Sequence, residues 1–372
     1  MDFTKKIIIT IIVILLTYIL WRLIKQRSEV KSNIEGLALS DFVPSIVPGL
    51  PSIDAEFKTI KDATTPISIK NINPEYADLS LKEYCIKGAY NSAWTGNYVN
   101  LDMISYVLSR GCRFLDFEVY YINKKNLMIP VIGVSNDPKS GSIINNSSIL
   151  LDNALTTAVS SAFSSTSPNN NDPLFINLRI KATNTDVYHA VAKSVDYSLK
   201  NKLFKDKINK NTKLKNIMGK VVLLIDKTIN YKYLDYAVCE EMDNQCYDLT
   251  SYTNLESGGE LMNLYHYSEM NNQCSIPITI SDNNLNTNVK KIKLLLPDMI
   301  SNQKKNVYFN TLVYKYGFQI IPYIYYFKPT PDNELVNYEK FFNDNQSGIV
   351  LLSAAITYFK KLEQTQIQTV TL

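Results

Sequence analysis

The sequence predicts an α/β fold, a (β/α)8 barrel of the TIM type, preceded by one N-terminal transmembrane helix. Three observations carry this. Short, continuously apolar, β-rich runs recur along residues 79–372. Stretches with apolar residues at helical spacing separate them, and together such runs imply parallel strands buried on both faces. The chain also opens with "KKIIITIIVILLTYILWRLIKQR", in which Ile7 to Trp21 is uninterrupted apolar sequence. About eight β/α units over nearly 300 residues suit a closed barrel. An open doubly wound sheet is the rival, but no glycine-rich phosphate loop follows the first strand.

The elements follow in order. Residues 1–27 read as the anchor, with Lys5, Lys6, Arg22 and Lys25 able to reach the two interfaces. A cleaved signal peptide would also begin with basic residues, but no small-x-small cleavage site follows. The excess of Arg22, Lys25, Arg27 and Lys31 over Lys5 and Lys6 puts the bulk of the chain on the cytosolic side, or on the equivalent side of a virion internal membrane. Residues 28–78 read as an extended linker, since Pro44, Pro48, Pro51, Pro66 and Pro74 punctuate it.

In the barrel, residues 84–90, 113–120, 128–134, 174–180, 221–226, 292–296, 319–326 and 348–353 read as strands. Residues 100–111, 149–163 and 185–204 read as helices, the first stopping at Gly111.

Composition narrows the function. Lys+Arg 39 against Asp+Glu 35 leaves a net charge of +4, with no basic block, so no nucleic-acid partner is expected. The five cysteines, Cys85, Cys112, Cys239, Cys246 and Cys274, include no CxxC pair. Their usage suits a reducing compartment, with a Cys239–Cys246 bridge as the alternative in an oxidising one. The abundance of Asn, Lys, Ile and Tyr reads as AT-rich coding bias.

One set of motifs is more specific. "IKGAYNSAWTGN", "GCRFLDFEVY", "LMIPVIGV", "LFINLRI" and "GKVVLLIDKT" resemble the X region of phosphatidylinositol-specific phospholipase C (residues 79–228). "KIKLLLPDMISN", "GFQIIPYIYY" and "FFNDNQSGIVLL" resemble its Y region (residues 290–358). The resemblance implies two catalytic histidines and a calcium ion. Tyr90 stands at the first histidine position and Val134 at the second. A phenol is a poor base near neutral pH and an isopropyl group moves no proton. His189 reads as a helix-face residue and His266 as a loop or core residue, neither at a strand end.

Asn91, Asp116 and Glu118 match three calcium-ligand positions, while Arg179 replaces the fourth, an acid. A guanidinium there repels Ca2+ and can pair with Asp116 or Glu118. Residual Ca2+ binding is therefore not expected. The substrate-side positions have become Leu224, Asp226, Leu294 and Leu296.

The resulting expectation is a catalytically inactive, membrane-anchored phospholipase-C-like barrel with a structural or interaction role. By composition its setting is the virion membrane of a large DNA virus, with capsid proteins as candidate partners. The alternative is a phosphoinositide-headgroup binding module using Arg179 and Lys181, with Lys124, Lys125 and Lys227 near strand ends. An active phosphodiester hydrolase is the remotest reading.

Overall fold

The computed structural model describes residues 17–18, 50–62, 65–135, 143, 147–182, 184–239, 246–270, 278–298, 306–326 and 334–370. The anchor at residues 1–27 and the linker up to residue 49 lie outside them, apart from Thr17 and Tyr18. Among the described residues no helix is long and apolar enough to cross a membrane. The described residues within 44–122 and 128–372 pack as one unit.

The strands arise where apolar runs are continuous. A sheet is built from β2 (Gly88–Ala89), β3 (Phe114–Lys124), β4 (Leu127–Gly133), β5 (Ile149–Leu150), β6 (Leu174–Ile180), β7 (Val221–Asp226) and β8 (Leu255–Ser257). Parallel pairing runs from β2 to β3, β6, β7 and β8. A second parallel pair joins β9 (Met262–His266) to β10 (Ile292–Leu296). Isolated parallel bridges tie Ile320 to both Leu294 and Ile86, and Tyr323 to Ala89.

Alternation along each strand sends side chains to two faces. Leu115, Phe117, Ile176, Leu178, Leu223 and Ile225 pack with the helices Leu101–Ser109, Leu151–Ala162 and Val187–Leu199. Phe114, Phe175, Val222, Leu224 and Leu294 form a second apolar cluster on the other face. Both faces are covered, which is why the runs read as continuously apolar.

The first of these helices shows both terminal signals. The Asn100 side chain accepts from the Asp102 N–H, and Gly111, at φ +80°, turns the chain toward β3.

Four expectations are corrected. The strand at 128–134 is the return arm of a hairpin, because Lys125 and Asn126 both have positive φ (49° and 66°) in a two-residue turn. The strand at 348–353 shortens to β11 (Ile349–Leu351) and runs antiparallel to β1 (Tyr84–Ile86). A helix, Leu352–Val370, takes over at once, burying Leu352, Ala355, Ile356 and Phe359 at helical spacing.

The stretch 319–326 pairs only at Ile320 and Tyr323, and Pro322 between them has no N–H to donate. Finally, part of the expected linker is helical. The helix Ile53–Asp62 lies between Pro51 and Pro66, where no proline interrupts. Its Glu56 accepts from the Thr95 hydroxyl and the Asn97 N–H, holding the loop that follows β2.

Candidate functional site

Register builds the site. Parallel pairing sets Asp116 beside Asn177 and Glu118 beside Arg179. The two-residue period points all four side chains to the face away from the helices. Asp116 and Glu118 lie in the first half of β3, Asn177 at the middle of β6 and Arg179 near its C-terminal end. Asn91 joins them from the turn after β2, in the left-handed region (φ 44°) that asparagine tolerates better than most residues.

Arg179, fully buried, is the centre of the group. Its Nε lies 3.0 Å from Asp116 Oδ1 and its Nη2 2.7 Å from Asp116 Oδ2, a bidentate pair. Nη1 donates to Glu118 Oε1 at 2.9 Å, and Nη2 to Asn91 Oδ1 at 2.6 Å. The Tyr90 ring lies over the guanidinium, 4.8 Å from ring centroid to Cζ.

Glu118 is saturated as an acceptor. Its Oε2 accepts from Lys181 Nζ at 2.9 Å, the Tyr120 hydroxyl at 2.6 Å and the Ser135 N–H at 3.2 Å. Asn177 donates to Asp116 Oδ1 at 2.9 Å and accepts from the Ser257 hydroxyl at 2.8 Å.

The electrostatics follow from burial and pairing. Burial pushes the Glu118 carboxyl up, but Arg179 and Lys181 together hold it below its ordinary value. Burial likewise pulls Arg179 down, yet Asp116, Tyr90 and Glu118 keep it well above the usual guanidinium value. Lys181 is shifted down, since burial outweighs Glu118. Burial lifts the Tyr90 phenol well above its ordinary range, so it is a weak acid held neutral. Asp226, at the end of β7, is raised by burial; its Oδ1 accepts from the Thr228 N–H and hydroxyl.

The structure thus brings Tyr90, Asn91, Asp116, Glu118, Arg179 and Lys181 into one network. Val134 is half-buried against the apolar core just past β4. Leu224, Leu294 and Leu296 are fully buried. Lys227 pairs with Glu256 at 3.0 Å, while Lys124 ends β3 and Lys125 sits in the hairpin turn.

One expectation about the histidines is corrected. His266 is the last residue of β9, a strand end, with its Nδ1 3.3 Å from the Pro297 carbonyl; the weakly apolar "MNLYH" had concealed the strand. Sequence reasoning also missed Asn177, Tyr120 and Ser257. The first two stand two residues from Arg179 and Glu118 on the same strands, so alternation could have found them. Ser257 lies on a strand with no clear apolar signature.

A calcium ion at this position needs several carboxylate and carbonyl oxygens turned toward one point. Here those oxygens converge on a guanidinium. The residues present do not fit the ion.

Comparison with known proteins shows what the chain is similar to. Residues 77–227 match the model of the phosphatidylinositol-specific phospholipase C X domain. No curated protein matches the sequence. The crystal structure of L. pealei PLC21 is similar over 77% of this chain and 39% of its own, at 14% identity and a TM-score of 0.54. That of S. officinalis PLC21 is similar over 77% of this chain and 38% of its own, at 15% identity and a TM-score of 0.53. The chain therefore corresponds to about two fifths of either relative's length, and the likeness is one of fold. Residues 77–227 are thus similar to the X domain of phosphatidylinositol-specific phospholipase C, and the chain as a whole shares the fold of these phospholipases.

Proposed function

We propose that this protein is a phospholipase-C-like barrel that cleaves no phosphodiester and serves as a membrane-anchored structural or interaction module. The observation that carries the proposal is Arg179. Its guanidinium lies between Asp116, Glu118 and Asn91, donating to all three, in the space a catalytic metal would need. Tyr90 above it has a phenol held neutral by burial, and Val134 brings no titratable group. A base, an acid and an electrophile are each without a candidate at the positions the family resemblance assigns.

The closed eight-stranded barrel is part of the same proposal. The bridges from Tyr323 to Ala89 in β2 and from Ile320 to Leu294 in β10 support it by linking the first and last parallel strands. The anchor rests on Ile7 to Trp21, and the setting in a virion membrane with capsid partners rests on coding bias. A headgroup-reading role has less support, because Arg179 and Lys181 both donate to Glu118.

The test is release of water-soluble inositol phosphate from phosphatidylinositol vesicles by the full chain, with and without Ca2+. The expected result is no release above the protein-free background. Release that disappears in Asp116→Ala would overturn the proposal.

A further inference from the structure

Away from Arg179, the described residues contain one cluster of metal-ligating side chains. The ligand atoms of His189, Cys239 and Cys246 all lie within 4.8 Å of one another, and all three residues are half-buried. No short motif announces it, because His189 comes from the helix Val187–Leu199 and the cysteines from 50 and 57 residues further on.

Both sides of the cluster are held by the fold. Tyr188, next to His189, is buried, packs at 6.0 Å from Tyr233 and stacks at 6.4 Å on Tyr236, three residues before Cys239. Beyond Cys246, Asp248 caps the short helix Leu249–Tyr252, and the Tyr252 hydroxyl donates to Asp196 on the His189 helix at 3.0 Å. His189 Nδ1 is 3.2 Å from Cys246 Sγ and 3.0 Å from the Tyr247 carbonyl oxygen.

In this structure Cys239 and Cys246 form a disulfide, correcting the expectation of reduced cysteines. A disulfide sulfur is a poor ligand; a thiolate is a strong one. Reduction by a dithiol breaks the S–S bond and leaves two thiols, the reductant closing to its own disulfide, so electrons and protons balance. Two thiolates and one imidazole then face the same point. That donor set is soft, contains no oxygen and suits Zn2+ over Ca2+ or Mg2+.

We propose that the reduced protein binds one Zn2+ through the unprotonated ring nitrogen of His189, Cys239 Sγ and Cys246 Sγ, with water in the fourth position. The disulfide is the metal-free state of the same site. Binding displaces the two thiol protons into solvent, so affinity falls as pH falls. Either state ties the segment bearing the exposed Tyr231 and Val238 to the helix Val187–Leu199.

The test uses the full chain in detergent, reduced with a phosphine under argon and titrated with Co2+. Thiolate-to-cobalt charge-transfer bands and tetrahedral visible bands should saturate at one ion per chain and vanish when Zn2+ is added. The oxidised protein should show neither. Cys239→Ser and Cys246→Ser should each abolish the spectrum, while the buried Cys85 and Cys112 remain as internal controls. His189→Ala and His189→Gln, two variants in case one fails to fold, should weaken Zn2+ binding at least about tenfold. No thiolate band in the reduced protein overturns the proposal, as does a band that survives both serine variants. Unchanged affinity in both His189 variants removes the imidazole from the site and overturns it as stated.

Discussion

Among the described residues two arginines are fully buried, and their surroundings are opposites. Arg113 precedes β3, at the N-terminal end of the strands. It donates only to neutral acceptors: the Ala162 carbonyl at 3.1 Å, Ser167 Oγ at 2.8 Å and Asn169 Oδ1 at 2.7 Å. Its Nε has no hydrogen-bond partner among the described residues, and burial, only partly offset by Asp172, pulls it down to about 10. Arg179, toward the C-terminal end of β6, sits instead between two carboxylates, which hold it well above its usual value. Removing a charge from water is costly, and the two sites offset that cost differently, by neutral hydrogen bonds in one and by ion pairing in the other. Arg113 serves the fold alone. Arg179 lies near the end of β6, and there its guanidinium fills the space between Asp116 and Glu118.

The largest effect should come from breaking the ion-paired site. Arg179→Met leaves Asp116 and Glu118 buried without their main counter-charge, and about 3–5 kcal/mol of stability should be lost in urea unfolding. Adding Asp116→Asn to that variant should recover much of the loss, because Glu118 keeps Lys181 as its partner and no unpaired charge then remains. The pH dependence has a definite sign. The Glu118 carboxyl is depressed in the folded state, so its contribution is complete above its unfolded value of about 4.3 and is lost as pH falls through the folded one. Acid unfolding of Arg179→Met should therefore begin at higher pH than in the parent. A stability change under about 1 kcal/mol would mean that the ion pairs are replaceable, and the contrast between the arginines would lose its energetic basis.

Arg113→Met should cost less, about 2 kcal/mol, since it strands three neutral acceptors while also removing a poorly compensated buried charge. The same urea titration checks it. A loss as large as that of Arg179→Met would show that neutral acceptors hold a buried guanidinium as firmly as carboxylates do.

Legibility in the sequence follows the same division. Strands β6, β7 and β10 could be read to the residue because they are apolar on both faces, a signal independent of partners. Strands β8 and β9 could not, since "LES" and "MNLYH" carry too few apolar residues to stand out. Asp116, Glu118 and Arg179 were recognisable as one site because they alternate along strands whose neighbour relation the family motifs supplied. The proximity of His189 to Cys246 was not, because it depends on how a helix face meets a loop 57 residues away. Arg113 appeared only as part of "GCR", with nothing to mark the side chain as buried. Its neutral partners Ser167 and Asn169 lie in the polar stretch after the helix Leu151–Ala162, where no apolar pattern marks them.

The smallest effect sharpens the comparison most, because it carries the opposite sign. Asp172 is buried beside Arg113. Its Oδ1 accepts from the Ile72 N–H at 3.0 Å, and its Oδ2 has no partner among the described residues. Burial lifts this carboxyl to about 6. The folded state therefore holds the proton more tightly than the unfolded chain, whose value is about 3.9. Its contribution is complete below pH ~4 and is lost as pH rises through 6. Asp172→Asn keeps an acceptor for Ile72 and removes the buried charge. It should raise stability at pH 7 by about 1 kcal/mol and flatten the profile between pH 4 and 7. The gain stays below the full linkage value because Arg113 loses its one nearby negative charge. In an Arg113→Met background that loss disappears, and the same substitution should gain about 2–3 kcal/mol. Equal gains in the two backgrounds would mean that Asp172 and Arg113 do not feel each other. Arg113 would then be held by hydrogen bonds alone, and the two arginines would differ in kind as well as in degree.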